Sequence, residues 1–372
     1  MTLIEFFLNI PNNKRDNNLT EQILSENDSL EFHKTLPNYS VSHLFELKSL
    51  SASLGCGSIH LKDESTRFNL NAFKGLGASY AIKKLLMDYP KISVFCTATD
   101  GNHGKAVAWS ASINKKKSVV YVPKDTTTER IDAIAQFGGE VIQLNMNYEE
   151  TCNYAAEQSN LNNWMLVQDT SWDGYEKIPA LIMSGYLTHF KEMEDSINLF
   201  DKPKVDVIFL QCGVGSWPAS CIWYYLNRYG KNKPKIVLIE PQEAAGILSS
   251  FKQNERVSPK GNFKTIMAGL NCGIPSKSAW EIIKKGCDAV LTITDKDVKD
   301  AMRTLYKPNG NDAKIISGES GAAGLAGLMK CIKDPALSKL NEHIGLNSKS
   351  RILIFNTEGD TDKTSYKSIV DL

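Results

Sequence analysis

The 372-residue chain has no Cys-x-x-Cys pair among its eight cysteines, no excess of charge of either sign, and no internal repeat or low-complexity tract. Each absence removes a class of function. Forty-three Lys and Arg stand against 42 Asp and Glu, which leaves neither a polybasic face for nucleic acid or lipid head groups nor an acidic tail, so a small ligand is expected. The cysteines (Cys56, Cys96, Cys152, Cys212, Cys221, Cys272, Cys287 and Cys331) are scattered, several in apolar runs where a thiol serves as a small hydrophobe. That is a reduced, cytosolic pattern. The first ten residues are apolar but lack a basic start and are interrupted by Glu5, so they do not read as a signal peptide. No run of about twenty apolar residues occurs, and no membrane-spanning helix is expected.

What the sequence does have is alternation. Short Val/Ile-rich runs at Ser58 to Lys62, Ile92 to Ala98, Ser118 to Val122, Glu140 to Leu144, Met165 to Val167, Val205 to Leu210, Ile236 to Glu240, Ala289 to Ile293 and Arg351 to Phe355 have strand lengths. Between the early ones lie stretches of helical length and spacing, Ser79 to Met87, Lys105 to Ile113, Thr127 to Phe137 and Tyr148 to Gln158. This alternation implies parallel sheets joined by right-handed crossovers. The fold class expected is α/β with two domains, each a twisted, mostly parallel sheet flanked by helices. Residues 1–74 and 195–372 form the larger and residues 75–194 the smaller, inserted one. Residues 11 to 39 are polar and read as an irregular arm with one short helix, Thr20 to Ser25, lying over a surface or a subunit contact.

Chemistry concentrates at strand ends. Lys74 follows the apolar pair Ala72-Phe73 and precedes Gly75, Gly77, Ala78, Ser79 and Ala81, which places its amine at a helix start packed closely against a flat surface. The helix dipole and burial both disfavour an ammonium there, so a neutral amine able to form a Schiff base is expected. After Val205 to Leu210 comes Gln211-Cys212-Gly213-Val214-Gly215-Ser216-Trp217, a glycine turn into a helix that can bind phosphate. The sixth position of a dinucleotide fingerprint is Pro218 rather than glycine. An ordinary tight turn stays open beside the phosphate reading. Asp100-Gly101-Asn102-His103-Gly104 and Gln168-Asp169-Thr170-Ser171-Trp172 stand at two further strand ends, where ligand sites of α/β sheets lie. Asn102 can bond a phenolate-like oxygen, and His103 reads more readily as a structural group than as a base. Asn356 to Asp362 mixes hydroxyls with acids and could form a metal loop, though without the alternation of a calcium-binding one. Ser317 to Gly324 is a further small-residue turn into a helix.

Together these features resemble the fold-type II pyridoxal-phosphate enzymes, the tryptophan-synthase-β-like family. Asn71 to Gly75, Thr99 to Gly104, Asp169 to Pro179, Ile266 to Leu270 and Thr357 to Asp362 are similar to the diaminopropionate ammonia-lyases within it. The similarity covers nearly all of the chain after residue 40. Serine and threonine dehydratases share the lysine and the Asn-His-Gly turn but lack the Asp169 to Pro179 run and the Thr-Glu-Gly-Asp-Thr-Asp ending. The resemblance implies pyridoxal 5'-phosphate as cofactor and Lys74, preceded by Phe73, as its Schiff-base lysine. It further implies Gly213, Val214, Gly215 and Ser216 as the phosphate cradle, Asn102 beside the 3′-oxygen, Thr357 beside the pyridine nitrogen, and Asp100 and Asp169 as acids facing the substrate. The activity implied is conversion of 2,3-diaminopropionate to pyruvate and ammonia by β-elimination, in a cytoplasmic homodimer acting on a small amino acid. A serine/threonine dehydratase-like lyase or a β-replacement synthase of the same fold, with the same lysine, is the alternative.

Overall fold

The protein is described by a computed structural model covering residues 4–99, 101–196 and 204–371. Eleven strands are described: β1 (Phe6–Leu8), β2 (His43–Glu46), β3 (Ser58–Asp63), β4 (Val94–Ala98), β5 (Lys117–Val122), β6 (Gly139–Gln143), β7 (Met165–Leu166), β8 (Val207–Gln211), β9 (Lys235–Pro241), β10 (Ala289–Ile293) and β11 (Arg351–Asn356). They form a seven-stranded sheet in the order β1-β10-β9-β8-β11-β3-β2 and a four-stranded sheet in the order β6-β5-β4-β7. Only the two edge pairs of the larger sheet, β1 with β10 and β2 with β3, are antiparallel. The central strands β8 and β10 are buried at every position. That follows from helices covering both faces of a parallel sheet, and it explains why these strands read as unbroken apolar runs rather than as alternating ones.

The small residues after Lys74 have a specific use. Helix Lys74–Asp88 crosses helix Lys177–Ser196 so closely that a Cβ on Gly185 would stand 2.3 Å from the carbonyl oxygen of Leu76 and one on Gly77 would stand 2.6 Å from the Tyr186 ring. The flat surface expected behind Lys74 thus includes a neighbouring helix. Among the elements unseen in the sequence are both antiparallel edge strands, His43–Glu46 being one. Phe6–Leu8 is the other, and the arm carries a second helix, Ser29–Lys34, beside the expected one, Leu19–Ser25. The arm packs on the chain itself through buried His33, whose ring nitrogens lie 2.9 Å from Leu76 O and 2.7 Å from Thr188 Oγ1. Burial, with repulsion from Arg67, pushes His33 down to about 3, so it serves as a neutral hydrogen-bonding peg.

The carboxyl ends of β3, β4, β7, β8 and β11 all face one region. The loops that leave them carry Lys74, Asn102, Asp169, Gly213 and Thr357, as expected for a ligand site at the ends of parallel strands.

Candidate active site

Lys74 is the first residue of its helix, and the turn before it is pinned to the end of β11, where Phe73 N donates to Thr357 O at 3.1 Å. Phe73 packs against Tyr186 (4.9 Å between ring centroids) and Trp217 (5.6 Å), giving the turn a rigid aromatic floor. Lys74 Nζ donates to Asp169 Oδ2 at 2.5 Å, and the lysine and aspartate side chains are 20% and 7% exposed. The expectation of a neutral amine is corrected here. Burial does oppose the ammonium form, but the Asp169 carboxylate beside it outweighs burial and raises the lysine above its ordinary value. Burial opposes the carboxylate form of Asp169 as well, and Lys74 overcomes that and lowers it to about 2. The resting pair is ammonium and carboxylate.

Asp169 is held from one further side and flanked by a histidine on another. Ser216 Oγ donates to its backbone carbonyl at 2.6 Å, and His103 Nδ1 lies 3.8 Å from its Oδ2. His103 places Nε2 2.8 Å from the carbonyl oxygen of Val167, which requires hydrogen on that nitrogen; its Nδ1 has no hydrogen-bond partner. Burial lowers its pKa, so the ring is a neutral structural group that turns a lone pair toward Asp169.

Across the cavity, Gly213 to Ser216 form the turn into helix Ser216–Tyr229, which has no side-chain cap, and Gly215 has φ +96°. A Cβ on Gly213 would stand 3.1 Å from Cys272 Sγ and 3.2 Å from Gly269 O, so a side chain at this point of the turn would crowd its neighbours. An uncapped helix start without side chains in front of it suits a phosphate group. Trp217 and Pro218 are buried at the start of the helix, where Trp217 Nε1 donates to His189 Nε2 at 2.9 Å, and both line the cavity.

The far edge of the cavity is built by residues that sequence reasoning missed. Gln211, the last residue of β8, donates from Nε2 to Thr357 Oγ1 at 2.9 Å and to Phe355 O at 3.0 Å. Thr357 Oγ1 is therefore an acceptor from one side, and its own proton is directed elsewhere. A glutamine ending an otherwise apolar strand was the available signal. Glu358 accepts from Ser320 N at 2.9 Å and from Asn102 Nδ2. Asp360 accepts from Asn71 Nδ2 at 3.0 Å, and Asp362 caps helix Lys363–Val370 through Ser365 N at 2.9 Å. These acids are spent on protein donors, and among the described residues no cluster of metal-ligating groups exists. Asp100 lies outside the described residues. The cavity measures about 840 Å³ including its open mouth; Phe73, Lys74, Asn102, Asp169, the Gly213 to Ser216 turn and Thr357 all line it. An amine at one wall, a phosphate-type turn at another and a hydroxyl at the far edge fit pyridoxal phosphate.

Behind Phe73 lies a second polar cluster, sealed from solvent. Arg67 donates to Glu64 (2.8 and 2.9 Å) and to Glu192 (2.7 and 2.9 Å), while Lys62 Nζ donates to Glu192 Oε2 at 3.0 Å and to Ser42 O at 2.7 Å. These elements are distant in sequence, and the cluster ties the arm, β3 and helix Lys177–Ser196 together.

The sequence matches the family described as pyridoxal-phosphate dependent enzyme over residues 36–356. It is 37% identical over 395 residues to the diaminopropionate ammonia-lyase of Salmonella typhimurium, covering 99% of this chain and 98% of that protein. It is 35% identical to that of Escherichia coli K12, covering 100% and 98%. The crystal structure of the Escherichia coli protein in complex with an aminoacrylate-PLP azomethine reaction intermediate superposes with a TM-score of 0.90 at 34% identity, covering 99% of this chain and 97% of that one.

Proposed function

The chain belongs to the pyridoxal-phosphate dependent enzymes and, among them, to the diaminopropionate ammonia-lyases, and we propose that it converts 2,3-diaminopropionate and water to pyruvate and two molecules of ammonia. The observation that carries this reading is the Lys74–Asp169 pair facing a cavity whose opposite wall is the uncapped turn Gly213 to Ser216. Lys74 would hold the cofactor covalently, Gly213 to Ser216 its phosphate, Asn102 its 3′-oxygen and Thr357 its pyridine nitrogen. Pyridoxal phosphate, when bound, supplies the electron sink that makes an amino acid's α-hydrogen acidic. Thr357 supports a sink of moderate strength, because Gln211 occupies its oxygen and a hydroxyl, unlike an aspartate, does not force the nitrogen to stay protonated.

Elimination breaks the bond from Cα to hydrogen and the bond from Cβ to nitrogen. Lys74 would be the amine placed to take the α-proton of the L-isomer. Asp169 is the group to keep the leaving amine an ammonium. It already holds one ammonium, that of Lys74, and when Lys74 is engaged elsewhere the carboxylate is left facing the cavity. The α-hydrogen of the D-isomer would lie on the opposite face from Lys74 and would call for a second base, a role Asp100 would take from its place in the sequence beside Gly101 and Asn102. The two sheets support two domains, residues 1–74 with 195–372 and residues 75–194, meeting at the cavity. A cytoplasmic homodimer is the working assembly.

Pyruvate release from D- and L-diaminopropionate, compared with serine and threonine, tests the reading. Turnover of diaminopropionate well above the hydroxy amino acids is expected. Preference for serine or threonine would make the chain a dehydratase, the activity named for the L-threonine dehydratase of Haemophilus influenzae, 26% identical over 79% of this chain.

A further inference from the structure

Tyr186, on helix Lys177–Ser196, is 0% exposed, and its hydroxyl has no hydrogen-bond partner among the described residues. A hydroxyl buried in that state lowers stability, and phenylalanine would fill the same space without it. Tyr225 buries a hydroxyl in the same way, so burial by itself assigns no role. What sets Tyr186 apart is its neighbour. Lys74 Nζ stands 6.0 Å from the centroid of the Tyr186 ring, and the Phe73 ring packs on the same tyrosine. A Cβ on Gly77 would stand 2.8 Å from Tyr186 Cζ, the ring carbon that bears the hydroxyl, so that end of the ring lies against the first turn of the helix that begins at Lys74. Burial raises the phenol above its ordinary value; the charge of Lys74 opposes this and Asp169 reinforces it. The hydroxyl therefore keeps its proton and is no base itself. Its oxygen is an acceptor in waiting.

Lys74 has one acceptor at rest, Asp169 Oδ2. If Asp169 turns to the leaving ammonium of a substrate, the amine needs another. His103 Nδ1, also buried without a partner, is already turned toward Asp169. We infer that the Tyr186 hydroxyl is the second acceptor of the Lys74 amine: it takes one N–H when Asp169 is occupied by substrate, leaves the amine's lone pair free for the α-proton, and steadies the ammonium that results. Tyr186 does not line the cavity, so it acts through Lys74 as a positioning residue. The inference rests on the reading of Lys74 as the base for L-amino acids.

Tyr186→Phe in the cofactor-loaded enzyme tests it. Because the resting hydroxyl has no partner, the Tm should be unchanged or higher; a fall of more than about two degrees, or failure to fold, would show that the hydroxyl serves the fold and would overturn the inference. Washout of the Cα hydrogen of L-alanine into D2O, followed by proton NMR, reads proton removal without any β-elimination. It should slow at least about tenfold in the variant, the size of one hydrogen bond to a charged group, and washout from D-alanine by less than about threefold. An unchanged rate for L-alanine, or equal losses for the two isomers, overturns the inference. Should the wild type exchange neither alanine yet release pyruvate from diaminopropionate, the α-deuterium isotope effect on release from the L-isomer decides instead: a larger effect in the variant supports the role of Tyr186, and an equal one removes it. A wild type inactive in both assays fails the reading of Lys74 and takes this inference with it, whereas an active wild type matched by its variant loses Tyr186 alone.

Discussion

Lys62 is buried and Lys74 half-buried, and both face a carboxylate: Lys62 Nζ is 3.0 Å from Glu192 Oε2 and Lys74 Nζ is 2.5 Å from Asp169 Oδ2. By pKa alone Lys62, not the proposed Lys74, would be chosen for Schiff-base chemistry. Burial lowers Lys62, since Glu64 and Glu192 only partly compensate and Arg67 repels it, whereas Asp169 raises Lys74. Access separates them. The Lys62 side chain is 0% exposed and its donors are taken by Glu192 and Ser42 O, while Lys74 lines an open cavity. A lysine becomes chemically useful when its partner can be exchanged, and a resting ion pair with a carboxylate that later receives another ammonium is such an arrangement.

The largest effect expected is therefore on Lys74. Lys74→Ala should remove the visible absorbance of lysine-linked pyridoxal and lower turnover by at least about a hundredfold to ten-thousandfold. Borohydride reduction and peptide mapping of the wild type should find the pyridoxyl group on Lys74; recovery on Lys62, Lys105 or Lys177 would break the comparison outright.

Asp169→Asn should lower kcat/KM for both enantiomers of diaminopropionate by about a hundredfold or more. Because Asp169 raises Lys74, its removal should also shift the pH dependence of cofactor linkage in the apoenzyme to lower pH, and an unshifted profile would mean that the carboxylate is not what holds the ammonium. Asp100→Asn should instead act at least about ten times more on the D-isomer than on the L-isomer. Equal losses would make Asp100 a shared binding group.

On the other side of the comparison, Arg67→Met should cost about 3–5 kcal/mol of stability, because it leaves Glu64 and Glu192 buried with too little positive charge. Thermal unfolding should show a large drop, while cofactor linkage to Lys74 in the folded fraction persists. Loss of linkage without loss of stability would show that the cluster belongs to the chemistry.

The sequence made the parallel strands of both sheets legible, but not the edge strand His43–Glu46, because parallel strands covered on two faces are apolar throughout, as Ala289 to Ile293 is. It also picked out Lys74, Asp169 and the Gly213 turn, which the structure gathers around one cavity, since strand ends there carry glycine and polar residues after apolar ones. Charge states were not legible. The error over Lys74 arose because Asp169 is 95 residues away and only the fold brings them together. Nor were second partners legible: nothing near Asn102 announces Glu358, and nothing near Thr357 announces Gln211. Phe6–Leu8 escaped because three residues give no period to read.

A third buried charge site sharpens the contrast from the opposite direction. Glu240 is 0% exposed and has no cation; its carboxylate accepts from Ile247 N and Leu248 N at 2.8 Å each. Burial pushes it up from its ordinary 4.5 to about 8 despite those two amides, while paired Asp169 is lowered to about 2. The two must then act on stability with opposite signs. An Asp169 carboxylate contributes stability that is present above its ordinary 3.8 and is lost as pH falls toward 2. Glu240 keeps its proton in the folded state while the unfolded chain releases it, so stability falls as pH rises from about 4.5 to about 8, by up to about 1.4 kcal/mol per pH unit, and is level above that. Glu240→Gln removes the titration, and comparison with the wild type cancels every other group. Between pH 5 and pH 8 the Tm of the wild type should fall relative to the variant by about one to a few degrees per pH unit. Parallel curves would mean that Glu240 is ionised in the fold, held as a carboxylate by the start of helix Gly246–Gln253 alone, and that burial without a cation does not suffice to keep an acid neutral in this protein.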